Sequence, residues 1–182
     1  DAFPTAMGQI SVLHKLEEAG CVRICISRDD IEAARKENVM AAILHIEGAE
    51  AIDDDLNALE TFFDLGLRSI GPVWSRPNRF GHGVPFRYPA DPDIGPGLTE
   101  AGRELVRECI NKRIMMDTSH LNLAGFHDVA NEGARLVATH SNAHAVSPGA
   151  RNLTDEQLRL IGETGGMAGL NFGTMFLRED GR

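Results

Sequence analysis

Six short apolar runs recur along the chain, and they limit its fold more than any other feature. They are "VRICI" (22–26), "AAILHI" (41–46), "LRSIGPV" (67–73), "RIMMD" (113–117), "LVATH" (136–140) and "MAGLNF" (167–172). A run so nearly apolar has no face to give to water, so it reads as a strand buried on both sides. Between most of the runs lie segments with helical spacing. One places Ile52, Leu56, Leu59 and Phe63 on a common face and closes at Gly66. Its first turn would hold Asp53, Asp54 and Asp55, at the positive end of the helix dipole. A second runs from about Thr99 to Asn111 with Leu105, Val106, Cys109 and Ile110 as its apolar face. The best-marked start is "LTDEQL", where Thr154 and Gln157 match a capping box and Leu153 and Leu158 a hydrophobic staple. Arg151 therefore falls in the loop that leads into this helix.

Repeated strand–helix units predict an α/β fold with a parallel sheet covered by helices. A doubly wound sheet and a (β/α) barrel both satisfy the pattern. No Gly-x-Gly-x-x-Gly follows any run, so the dinucleotide-binding version has no support. A complete barrel takes about 250 residues; six strands in 182 residues would be an incomplete one. The length suits one sizeable domain, 1–182. The segment from Gly71 to Gly97 interrupts the alternation. It holds six of the eight prolines and no periodic pattern. Its aromatic residues (Trp74, Phe80, Phe86, Tyr88) argue for an ordered loop, about 71–97, over one end of the sheet.

Charge narrows the partners. With 27 acidic against 18 basic residues the net charge is −9, which argues against nucleic acid. No apolar run approaches the roughly 20 residues that span a bilayer, so no membrane segment is expected. No signal peptide is evident, but the first residue is Asp1 rather than Met, so the compartment is weakly constrained, with the cytoplasm favoured. The three cysteines suggest no disulfide framework; Cys21 and Cys25 read as buried apolar thiols.

In parallel α/β folds the chemistry gathers where strands end. "AAILHI" is followed by Glu47 and Gly48, and "LRSIGPV" by Trp74. "RIMMD" is followed by Thr118, Ser119 and His120. "LVATH" ends in His140, with Ser141, Asn142, His144 and Arg151 beyond it. Three strands thus bring a carboxylate and two imidazoles to one rim, a donor set that suits zinc and similar divalent ions. Taken singly, a Glu after a strand is usually solvated and a lone His usually structural. His144 is recommended only by its neighbourhood. His45 shares a face with Glu47 but sits within the strand; His82 lies in the long loop; His14 and His127 sit on helical segments.

The stretches "ILHIEGAEAIDDDLNALETFFDLGLRSIGPVWSRPN", "IMMDTSHLN", "VATHSNAHAVSPGARNLTDEQLRLI" and "GGMAGLNF" resemble the membrane (renal) dipeptidase family, the M19 metallopeptidases, over essentially the whole chain. The resemblance implies a partial (β/α)8 TIM-like barrel of the metal-dependent hydrolase (amidohydrolase) type. It implies two zinc ions that hydrolyse dipeptides, with a hydroxide shared by the metal pair as nucleophile. By that resemblance Glu47 is the catalytic glutamate that bridges both metals, His120 and His140 are ligands of the second metal, and Arg151 contacts the dipeptide substrate or its tetrahedral intermediate. His144 matches no ligand.

Three departures follow. The family's first metal also takes a His-x-Asp motif, and none occurs in this chain. A late acidic residue of the family would lie beyond Arg182. The expectation is a domain without either end, its first-metal ligands absent. Trp74 stands where the family has a substrate-contacting histidine, a difference within the matched region that points to altered substrate choice, with His82 as a candidate replacement. Two alternatives to the dipeptidase remain: a non-catalytic relative or fragment acting as a binding module, and a related amide or lactone hydrolase. Open sheet edges of an incomplete barrel would also favour association, including a homo-oligomer.

Overall fold

The computed structural model describes residues 2–180, and helix alternates with strand along most of them. The chain divides into two units. One takes the chain up to Ile46 together with Glu50–Ile70; the other takes Glu47–Ala49 together with the chain from Gly71 onward.

The first unit begins with helix α1 (Ala2–Glu18), followed by strand β1 (Val22–Ile24), helix α2 (Arg28–Glu37) and strand β2 (Met40–Ala42). β1 and β2 are parallel, Val22 opposite Met40 and Ile24 opposite Ala42, so the three elements form a βαβ unit. α2 starts at Ser27, whose hydroxyl accepts from the Asp30 N–H at 3.2 Å while the Asp30 carboxylate accepts from the Ser27 N–H at 2.9 Å. It stops at Asn38, which takes the left-handed conformation with φ 57°. The run "AAILHI" serves two strands. Its start completes β2, and Leu44 opens strand β3 (Leu44–Glu47), which lies in another sheet beside strand β4 (Leu67–Gly71).

Helix α3 (Asn57–Asp64) starts later than its apolar spacing predicts. Asp53, Asp54 and Asp55 precede it instead of forming its first turn. The cause is local: Leu56 adopts φ 58°, outside the helical region, and Asp53 turns its carboxylate back to accept from the Ala58 N–H at 2.7 Å. Asp53 thus caps the helix from outside, and that bond holds its carboxyl below its ordinary pKa. Leu59 and Phe62 are fully buried with Leu67 and Ile70 in the core of this unit.

The second unit holds helix α4 (Glu100–Lys112), strand β5 (Met115–Met116), helix α5 (Leu123–Asn131), strand β6 (Val137–Ala138), helix α6 (Asp155–Glu163) and strand β7 (Met167–Ala168). Asp117 bridges Val137 in parallel sense, and β6 pairs with β7 in parallel. The core comprises Val73, Phe80, Leu105, Val106, Cys109, Met116, Phe126, Val129 and Leu136. α6 begins as its sequence predicts: the Thr154 hydroxyl accepts from the Gln157 N–H at 3.2 Å, and the Gln157 side chain accepts from the Thr154 N–H at 2.9 Å. Thr154→Ala is expected to lower stability by about 1 kcal/mol, read from the midpoint of urea unfolding.

Between β4 and α4 there is no helix or strand among the described residues. This segment is nevertheless anchored. Phe80 is fully buried, its carbonyl accepts from the Thr99 N–H at 3.0 Å, and the Thr99 hydroxyl donates to the Arg79 carbonyl at 2.6 Å. A Cβ at Gly102, on α4, would stand 1.9 Å from the Phe80 carbonyl oxygen, so the loop backbone rests directly on the helix.

Two strands depart from the expected burial: Met40 and Ala41 on β2, and both residues of β7, are exposed. Cys21 is exposed as well, while Cys25 and Cys109 are buried and all three are free thiols. Burial pushes the Cys109 thiol up to about 12, which keeps it protonated. No helix among the described residues is long and apolar enough to cross a membrane.

Candidate metal centre

Each residue of the centre stands where a strand stops. Glu47 is the last residue of β3, and Gly48 turns the chain away at φ 86°, a conformation that favours glycine. The turn is held by the Gly48 N–H, which donates to the Gly71 carbonyl at 3.0 Å. His120 follows β5 by four residues, and His140 follows β6 by two. Their ligating atoms meet. His120 Nε2 lies 3.0 Å from Glu47 Oε1 and 2.9 Å from His140 Nε2, and His140 Nε2 lies 3.0 Å from the same Glu47 oxygen.

The electrostatics match a cation site. His120, by its hydrogen bond to Oε1, holds the Glu47 carboxyl well below the usual carboxylate range, and His140 facing the same oxygen acts in the same direction. Burial lowers the pKa of His120, against the pull of Glu47. An anionic carboxylate and a neutral imidazole are the states a divalent ion requires of its ligands. Three lone-pair atoms about 3 Å apart also repel one another unless a proton or a cation lies among them, so the donor set fits a metal ion in both chemistry and charge.

Arg151 is placed beside these residues but not as an exposed clamp. It is 4% exposed. One terminal nitrogen donates to the Ser119 carbonyl and reaches Ser141 Oγ at 3.4 Å; the other donates to the His140 carbonyl at 3.1 Å. Its Nε is buried with no hydrogen-bond partner. Burial brings its pKa down to about 10, so it stays charged at neutral pH. The loop that carries it is closed at its base: the His144 N–H donates to the Leu153 carbonyl and the Leu153 N–H to the Asn142 carbonyl, both at 2.8 Å. His144 Nε2 meets the Ala90 carbonyl at 3.2 Å, away from the cluster.

Aromatic rings border the centre. Trp74, 37% exposed, lies 6.1 Å from the His120 ring and 5.6 Å from Phe86. Phe86 stands edge-on to His120 at 6.3 Å and lies 5.8 Å from Phe176. A cavity of about 100 Å³ opens among Phe86, Tyr88, Arg151, Met175 and Phe176. His45 pairs with Ser69 at 2.7 Å and His14 with the Leu65 carbonyl at 3.0 Å; His127 stacks edge-on against Phe126. His82 has a buried Nδ1 with no hydrogen-bond partner and is outside the three-residue cluster.

Sequence reasoning passes over the residues that hold the ligands. Ser75 Oγ faces His120 Nδ1 at 2.8 Å, and Thr139 Oγ1 faces His140 Nδ1 at 2.7 Å. Asp117 is 3% exposed beneath both turns. One signal was available for it: a carboxylate closing an apolar strand demands buried partners.

Comparison with known proteins adds four findings. Residues 1–182 match the family model described as membrane dipeptidase (peptidase family M19). A crystal structure of a metallo peptidase from Rhodobacter sphaeroides, liganded with a phosphinate mimic of the dipeptide L-Ala-D-Ala, is 56% identical with a TM-score of 0.97. The likeness covers 100% of this chain and 52% of that one. An amidohydrolase from Pseudomonas aeruginosa is 25% identical with a TM-score of 0.87, over 98% of this chain and 54% of that one. An uncharacterised protein in the pqqA 5′ region of Klebsiella pneumoniae is 48% identical over 177 residues, 96% of this chain and 65% of its own length. The chain thus spans between about half and two-thirds of the length of these relatives, and its fold class is that of part of a (β/α)8 barrel of the amidohydrolase type.

Proposed function

The chain belongs to the membrane dipeptidase family, peptidase family M19, and from that premise we propose that it is the metal-bearing part of a dipeptidase that hydrolyses short apolar dipeptides such as L-Ala-D-Ala. The observation that carries the proposal is the meeting of Glu47 Oε1, His120 Nε2 and His140 Nε2 within 3.0 Å of one another at the ends of three strands.

Two imidazoles and a carboxylate favour zinc over magnesium or calcium. The family pattern of two ions would place Glu47 between them, with His120 and His140 on one. When bound, such ions supply Lewis-acid polarisation of the scissile carbonyl and lower the pKa of water toward neutrality. The chain's own residues do the rest. Glu47 stays anionic throughout the working pH range. Arg151 holds the ligand-bearing turns by their carbonyls, and as a charged residue lining the cavity beside Phe86 and Phe176 it is the partner proposed for a substrate carboxylate. Trp74 and Phe86 exclude water from one flank of His120 and leave an apolar wall for the substrate's side chain. In the reaction one water is consumed, the peptide bond breaks, and two amino acids leave.

The test is a panel of dipeptides and N-blocked dipeptides with the zinc-loaded protein, read by free amine released. Turnover of free L-Ala-D-Ala that is lost on chelation and restored by zinc supports the proposal. Zinc uptake with hydrolysis of lactones and no dipeptide turnover would replace it by a hydrolase of another substrate class.

A further inference from the structure

We propose that Asp117, acting through Thr139, fixes the tautomer of His140, holding the ring proton on Nδ1 so that Nε2 presents a lone pair to the cluster. The use made of that lone pair rests on the metal-centre reading above; the tautomer itself follows from hydrogen-bond bookkeeping.

The Asp117 carboxylate is surrounded by donors from two turns. Oδ1 accepts from the Ser119 N–H at 3.0 Å, the Ser119 hydroxyl at 2.6 Å and the Thr139 N–H at 2.9 Å. Oδ2 accepts from the Thr139 hydroxyl at 2.6 Å. Two of these four donors are backbone N–H groups, which can only donate, so the geometry makes the carboxylate the acceptor on both oxygens. An anionic acceptor outcompetes a neutral one for a hydroxyl proton. Each hydroxyl has one proton to give, and here both go to Asp117.

The consequence differs at the two hydroxyls. Ser119 Oγ, its proton committed, is left to accept, and it accepts from the His140 N–H at 3.1 Å. Thr139 Oγ1 is likewise left to accept, and the group facing it at 2.7 Å is His140 Nδ1. For a bond to form there, the ring nitrogen must be the donor. A neutral imidazole carries one N–H, so Nε2 is bare. That atom points at Glu47 and His120. The carboxylate is 3.8 Å from Nδ1, too far for a direct bond; the threonine hydroxyl spans the gap. A ligating histidine oriented by a carboxylate is a general device of metal sites, and here it works at one remove. Asp117 and Thr139 are positioning residues, and the same carboxylate ties the His120-bearing turn to the His140-bearing turn.

The test uses the full chain, metal-free and 15N-labelled, with long-range proton–nitrogen spectra of the histidine rings. Wild type should show His140 with a protonated Nδ1 and a bare Nε2. Thr139→Val keeps the shape but removes the acceptor; the ring should shift toward the Nε2–H form, and zinc affinity, measured by competition with a chelating dye, should fall about 10–100-fold. Thr139→Ser should restore both. In Asp117→Asn the amide can donate to Thr139, which frees the hydroxyl to turn its proton toward Nδ1, so this variant should also favour Nε2–H. Circular dichroism checks folding; should Thr139→Val unfold, the wild-type tautomer and Thr139→Ser decide. An Nε2–H ring in wild type, or unchanged tautomer and zinc affinity in folded Thr139→Val, overturns the proposal. A bare Nε2 in a wild-type protein that takes up no zinc overturns the metal-centre reading and leaves the tautomer assignment standing.

Discussion

Glu47→Gln should reduce kcat/KM for dipeptide hydrolysis by on the order of 10³-fold or more, the scale at which removal of an essential member disables a catalytic unit. The substitution preserves shape and removes the negative charge. It also reverses a polarity. The glutamine amide can offer N–H groups to His120 Nε2 and His140 Nε2, which in the native chain lie 3.0 Å from a carboxylate oxygen. Protons would then satisfy the lone pairs that a cation is meant to satisfy. Metal content should fall together with activity, and the two are measured on the same samples by elemental analysis and steady-state kinetics. Turnover near wild type in the variant would remove Glu47 from the chemistry. Retained zinc with lost turnover would keep the site but show that the charge acts on the reaction rather than on metal retention.

Phe80→Ala should cost about 3–5 kcal/mol, the range for emptying a buried aromatic site. The prediction is a strong one for a residue in a segment without helix or strand. Phe80 has no exposed surface, and its backbone carbonyl sits against Gly102 of α4. The cavity cannot close by simple collapse, because the chain on both sides is tied down: Asn78 bonds back to Gly81 at 3.0 Å, and Thr99 to Phe80. Phe86→Ala, six residues on and 51% exposed, should change stability by less than about 1 kcal/mol. Urea unfolding of the two variants separates them. Equal losses would mean that the segment does not belong to the core of its unit.

The contrast between these two phenylalanines shows what the sequence could and could not tell. Aromatic content argued that the proline-rich segment is ordered, but nothing in the spacing distinguishes a phenylalanine in the core from one beside the centre. That difference is set by contacts with residues far along the chain. The alternation of strands and helices was legible because burial of a parallel sheet forces long apolar runs. Their ends were legible too, and Glu47, His120 and His140 all follow such ends closely. Boundaries were not. The run at 41–46 reads as one strand, and the structure divides it between two sheets. The helix expected from Ile52 begins at Asn57, because an aspartate meant for its first turn bonds forward from outside it. α2 carries a capping box that ranks with the one at Thr154, yet its face is mostly polar, and apolar spacing does not reveal it. Thr139 and Ser75 were illegible as partners of the histidines, since hydroxyls at strand ends have no periodicity to betray their direction, and Asp117 announced only that it needs buried partners, not which.

The base of the loop that carries Arg151 has a practical corollary. Asn142, His144 and Leu153 join its two sides, and beyond that stem the Val146 and Ser147 N–H groups both bond back to the Ala143 carbonyl at 3.1 Å. Ala145 and Val146 lie past that stem and face solvent, whereas Ser147 is fully buried. The junction between Ala145 and Val146 is therefore a natural attachment point. A fluorophore or a short surface tether placed there would ride within a few residues of the centre without displacing a buried side chain.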